Sequence, residues 1–210
     1  MGLNTLNRLT RLGLALFAML FAAALPLQAT PKADTPERVV EGFHATLLAV
    51  MKQASSSKVG ERFALLAPKI KQSFDLPFMI RIAASSHWQE SSDKERAALA
   101  GAFQRMSIAV YASRFDGYSG ESFKTLKTSS GPRKTFLVKT NLIRPKDKPI
   151  ELVYVMKRQK AGWRIVDIIL DGGISELAVR FSEYRQTLKK TGVNGLVELL
   201  EGKSRQLLGK

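Results

Sequence analysis

Apolar residues recur at two periods along this 210-residue chain, and the places where the period changes mark its elements. From residue 34 to about 116 the spacing is helical. Val39, Phe43, Leu47 and Met51 share one face of a first helix, with Asp34 as the expected cap, Pro36 in the first turn and Glu37 three residues after the cap. Ser55 to Ser57 ends it. Phe63, Leu66, Ile70 and Phe74 mark a second helix, which Pro68 is expected to break or kink. Asp75-Leu76-Pro77 restarts a short helix holding Phe78, Met79 and Ile82. Ser92 and Glu95 form a capping box for the longest helix, which ends near Arg114 to Asp116. It carries two stripes: Leu99, Phe103, Met106 and Val110, then Ile108, Tyr111 and Phe115.

From Glu121 to Asp171 the period is that of strands, over 122–129, 134–143, 150–159 and 163–170. Gly131-Pro132, Pro145 to Pro149 and Ala161-Gly162 separate them, and loops this short predict an antiparallel meander. Past Asp171-Gly172-Gly173 the helical period returns. Ile174, Leu177, Phe181 and Leu188 fall on one face, Ser175 is the expected cap, and Gly192 divides a helix over 174–190 from one over roughly 195–208. Helices, then about four strands, then helices predict the α+β class.

The first 29 residues have a different pattern. Arg8 and Arg11 precede an uncharged apolar run over 12–25, and Leu27-Gln28-Ala29 supplies a small residue for cleavage. The run is short for a membrane span and Pro26 ends it. The pattern predicts an export leader (1–29) cut after Ala29, a single domain over 30–210, and a periplasmic protein. With no cysteine in the chain, neither a lipoprotein attachment nor a disulfide is available.

The net charge is +15, and the expected leader accounts for two of those positive charges. So basic a chain suggests nucleic acid, but export argues against that partner. An anionic membrane surface, an acidic docking partner or a plain solvated basic face all fit the charge.

Catalytic signatures are sparse. The chain has two histidines, His44 and His87, with no HExxH or GxSxG motif and no cluster of zinc ligands. One enzymatic alternative is a cone-shaped α+β fold in which Asp167 sits among Ile165, Val166, Ile168 and Ile169 and works with Tyr111. The preferred reading turns Asp167 to the polar side or pairs it with an arginine.

The strands hold more apolar surface than a one-sided sheet needs. Phe136, Val138 and Leu142 share a face, as do Ile150, Leu152, Tyr154 and Met156, yet Val153 and Val155 lie opposite. Helices covering both faces would explain this; so would a sheet and helices held apart around a ligand. The pattern alone leaves both open.

The strand Gly162-Trp163-Arg164 leading to Asp171, then Gly173-Ile174-Ser175 and a helix, resembles the MlaC family of secreted lipid-binding proteins, also called toluene-tolerance or auxiliary ABC-transport proteins. Asp171 to Ala178 is similar to the hopanoid-biosynthesis-associated, HpnM-like branch. Phe74, Asp75 and Trp88 fit the family pattern, while Ser85-Ser86 and Gln89 depart from its usual Leu-Gly and basic residue. Over residues 36–207 the resemblance implies a helical layer on a curved antiparallel sheet around a hydrophobic cavity.

It implies a carrier that does no covalent chemistry and has no cofactor beyond its cargo, a phospholipid or hopanoid-type lipid. The implied partners are an inner-membrane ABC lipid transporter complex and an outer-membrane lipoprotein/porin complex, with transient membrane-surface contact, no nucleic acid and a monomeric state. The lining residues expected on this basis are Phe74, Phe78, Ile82, Trp88, Phe103, Met106 and Val110 from the helices. From the sheet they are Val138, Leu142, Leu152, Tyr154, Ile165 and Ile168. A basic interaction module without lipid cargo is the further alternative.

Overall fold

Among the described residues, five helices lead into a five-stranded antiparallel sheet, and a helix interrupted at Gly192 follows. The structure is a computed structural model that describes residues 34–209; the expected leader and its cleavage site lie outside the described residues. The helices are α1 (Pro36–Lys52), α2 (Val59–Ser73), α3 (Leu76–Ala84), α4 (Ser86–Glu90) and α5 (Asp93–Arg114). The strands β1 (Ser122–Ser130), β2 (Thr135–Arg144), β3 (Asp147–Gln159), β4 (Gly162–Leu170) and β5 (Ile174–Ser175) pair in sequence order, and α6 (Glu176–Leu207) follows. This is the expected α+β meander, with a two-residue β5 added.

Several local expectations are corrected. Thr35, not Asp34, caps α1, its hydroxyl accepting from the Arg38 amide at 3.4 Å. Asp34 pairs instead with Arg158 at 2.9 Å. The buried stripe of α1 is Val40, Phe43, Leu47 and Val50, so Val39 lies beside it. α2 continues through Pro68 without a break. The proline and the residue four before it, Ala64, are both exposed, so the carbonyl that loses its donor faces water. β3 begins at Asp147, and Pro145-Lys146 alone makes the turn from β2. Pro149 is tolerated because that end of β3 extends beyond its first pairing with β4, Leu152 with Leu170, and removes no bond from that ladder.

Asp75 ties helices to sheet. Its amide donates to the Ile165 carbonyl at 2.9 Å, one carboxylate oxygen caps α3 through the Phe78 amide at 3.1 Å, and the other accepts from Gln159 at 2.8 Å. Arg62, buried, donates through Nε to the Ala112 carbonyl at 2.9 Å and so satisfies the C-terminal end of α5.

Register sorts the sheet into two faces. Val138, Tyr154 and Ile168 are cross-strand partners, as are Thr140, Leu152 and Leu170, and these rows face the helices. Leu137, Val155 and Asp167 form a row on the opposite face, as do Lys139, Val153 and Ile169. Irregular register at Thr125/Lys127, Leu142/Arg144 and Val155/Met156 adds the bends expected of a curved sheet.

Candidate binding cavity

The inner sheet face and the helices do not close on each other everywhere. Between them is a cavity of about 570 Å³. Its helical wall is Leu47, Ile70, Phe74, Leu76 and Met79 from α1–α3, with Phe103, Met106 and Val110 one to two turns apart on α5. The facing wall is Phe123, Leu142, Ile150, Leu152, Ile168 and Leu170, one inward position after another along β1–β4.

Aromatic rings stiffen one side. Phe43 meets Phe74 edge-on at 5.1 Å and Tyr111 at 5.3 Å, and Tyr111 stacks on Phe115 at 5.7 Å. Tyr154 brings a polar group to the wall, and His44 answers it: Nε2 lies 2.8 Å from the hydroxyl. The imidazole also stacks on Phe123 at 3.9 Å. Burial lowers the His44 pKa to about 3 and pushes the hydroxyls of Tyr154 and Tyr111 upward, so all three are neutral at pH 7. The interior therefore presents no charge to an occupant.

Charge collects where α5 ends and α6 begins. Arg114, Asp171, Glu176 and Arg180 line this part of the cavity, beside the exposed Ile174. Arg180 pairs with Glu183 at 2.8 Å and Glu176 at 3.6 Å. Arg114 and Asp171 are exposed and make no ion pair with the described residues. The cavity thus has an apolar interior and a charged rim.

Of the residues expected to line it, Phe74, Phe103, Met106, Val110, Leu142, Leu152, Tyr154 and Ile168 do. Val138 and Ile165 face the same side of the sheet but are fully packed, at 0 % exposure. Phe78 lies outside, half-buried, with Lys157 Nζ and the Arg81 guanidinium 4.8 and 5.2 Å from its ring. Ile82 and Trp88 line a separate groove. The expected set lacks Leu47, Ile70, Leu76, Met79, Tyr111, Phe115, Phe123, Ile150, Leu170 and the whole charged rim. Ile150 and Leu170 carried a usable signal, since register sets each beside a residue already chosen, Leu142 and Leu152.

Asp167 lies away from the cavity, as the preferred reading has it, and pairs with no arginine among the described residues. Its Oδ1 accepts from the Ile168 and Leu177 amides at 2.8 and 3.0 Å, and its Oδ2 accepts from the Ser175 hydroxyl at 2.6 Å. It fastens β5 and the start of α6 to β4, on the sheet face opposite the cavity and Tyr111. No group of three His, Cys, Asp or Glu suited to a metal occurs among the described residues.

Helices and a curved sheet standing apart around an apolar space define an α+β domain with a cavity of the kind that binding sites use. Residues 41–202 match the MlaC protein family, and the chain belongs to that family. No curated protein matches it. Among solved structures it is similar to a phospholipid-binding protein from Ralstonia solanacearum, determined in complex with a phospholipid. The TM-score is 0.72 at 20 % identity, covering 83 % of this chain and 99 % of that one. At that identity the likeness is one of fold.

Proposed function

We propose that this protein is a periplasmic lipid carrier that holds a phospholipid or hopanoid-type lipid in the cavity between α5 and the sheet. The observation that carries the reading is the uncharged apolar interior beneath a charged rim. Membership of the MlaC family and the phospholipid-bound neighbour support a lipid-binding protein. An exposed methylene costs about 0.8 kcal/mol in water, so a lipid leaves a bilayer only into a sleeve that replaces that environment. The cavity of about 570 Å³ lies within the range of ligand-binding cavities, about 300–1,000 Å³.

The rim suits a head group. Arg114 offers a guanidinium to a phosphate, and Asp171 offers a carboxylate to an amine. No covalent step is required of any residue. The carrier exchanges lipid with an inner-membrane ABC transporter complex and an outer-membrane lipoprotein/porin complex, and its strongly basic balance, which loss of the leader lowers by only two charges, favours brief contact with anionic membrane surfaces. Similarity of 171–178 to the hopanoid-associated branch supports a hopanoid as the second cargo class.

The test is transfer of a fluorescent phospholipid from donor to acceptor vesicles, with a hopanoid as competitor. Protein-dependent transfer slowed by the competitor is expected. A protein that neither accelerates transfer nor binds either lipid contradicts the reading.

A further inference from the structure

A second concavity, an open groove of about 860 Å³, lies where α3 and α4 face the first turns of α6. α3 and α6 serve both sites: Met79 and Arg180 line the cavity, whereas Ile82 and Phe181 line the groove. Ile82 is 44 % and Phe181 41 % exposed, so two of the few large hydrophobic side chains that reach solvent meet in one place. Trp88, half-buried, completes the apolar floor. Apolar side chains exposed together in a concavity with a polar rim are a candidate interaction site.

The polar rim has one sign. Arg81, Ser85, Ser86 and Gln89 line it, and among the described residues no acidic side chain does. Arg81 is exposed and its guanidinium lies over Phe78. Arg96 also reaches the groove but donates to the Trp88 and Gln89 carbonyls at 2.8 Å, which holds α4 in position. Ser85 joins α3 to α4 at φ 53° and ψ −128°, a conformation that costs a non-glycine residue on the order of 1–3 kcal/mol and persists only where its surroundings impose it. The groove is thus built from fixed parts.

We propose that this groove docks a segment of a partner protein that carries an aromatic or aliphatic anchor flanked by Asp or Glu. Concavity favours a protruding segment over a flat bilayer. The apolar floor takes the anchor, Trp and Phe being among the residue types enriched in such contacts. Arg81, the groove hydroxyls and the Gln89 amide are left for carboxylates and backbone. The chain's net charge of +15 steers an acidic partner toward it.

The test is selection of peptides from a random display library on the purified protein, with counter-selection on Phe181→Ser. Recovered peptides are then titrated against wild type, Phe181→Ser and Arg81→Glu, with a thermal melt and copurified lipid measured for each. Peptides combining an apolar anchor with acidic residues are expected. They bind wild type about tenfold tighter than either variant, weaken with salt, and leave melt and lipid content unchanged, which separates this site from the carrier reading. Recovered peptides without acidic bias overturn the proposal, as does equal binding to Phe181→Ser. Phe181-dependent binding to phosphatidylglycerol vesicles, with no groove-dependent peptide recovered, overturns it in favour of a membrane-contact surface.

Discussion

His44 lies 2.8 Å from the Tyr154 hydroxyl, stacks on Phe123, and has its pKa lowered to about 3 by burial, against 6.5 for an ordinary imidazole. Between those two values the unfolded chain binds a proton that the folded chain refuses, so stability rises with pH there and is lost on acidification below 6.5. The loss is up to about 1.4 kcal/mol per pH unit from this group. Urea melts at several pH values test it: His44→Gln, which keeps a partner for Tyr154 but cannot titrate, is expected to show a shallower slope between pH 6.5 and 4. Parallel slopes would mean that the imidazole is protonated in the fold. Asp167 makes the complementary case. Asp167→Ala removes the acceptor for the Ile168 amide on β4 and for the Ser175 hydroxyl and Leu177 amide at the start of α6, and is expected to cost about 2 kcal/mol in a urea melt with lipid content retained. Loss of lipid without loss of stability would return Asp167 to the binding machinery.

Among the elements, α6 shows best what periodicity can and cannot tell. Gly192 was visible as a break, and it takes φ 65° and ψ −164°, a region essentially reserved for glycine. Gly192→Ala is expected to lose about 1–3 kcal/mol, read from the melt, because nothing nearby crowds a methyl and only the backbone conformation opposes it. An unchanged melt would mean that the two halves of α6 join without this turn. The period groups Phe181 with Leu177 and Leu188, yet Tyr184 and Leu188 form the buried stripe and Phe181 turns outward into the groove. A hydrophobic residue fits a helical period within one position either way, so the period locates the helix better than its buried edge. Pro68 failed as a breaker for a related reason: whether its lost hydrogen bond matters depends on which side of α2 meets water. The meander was more legible, because its short glycine- and proline-bearing loops leave few alternatives to pairing in sequence order.

At the scale of the whole molecule, the sequence marked the two apolar walls but not where they part. Val138 and Leu142 lie on one face of β2 four residues apart; the first is at 0 % exposure and the second borders the cavity. The difference is set by the height of the helices above the strand, which no period in β2 encodes. It yields the sharpest contrast available. Val138→Trp overpacks a closed core and is expected to cost about 1–3 kcal/mol, whereas Val110→Trp projects into free space. The most direct measurement is therefore native mass spectrometry of lipid retained per protein, with a thermal melt, for wild type, Val110→Trp and Val138→Trp. The account predicts a lipid-bearing wild type, a Val110→Trp protein that loses most of its lipid with a melt within about 2–4 °C of wild type, and a Val138→Trp protein that melts early. A wild type that purifies without lipid and takes none from vesicles, or a Val110→Trp protein as destabilised as Val138→Trp, would contradict the cavity as the place where lipid is held.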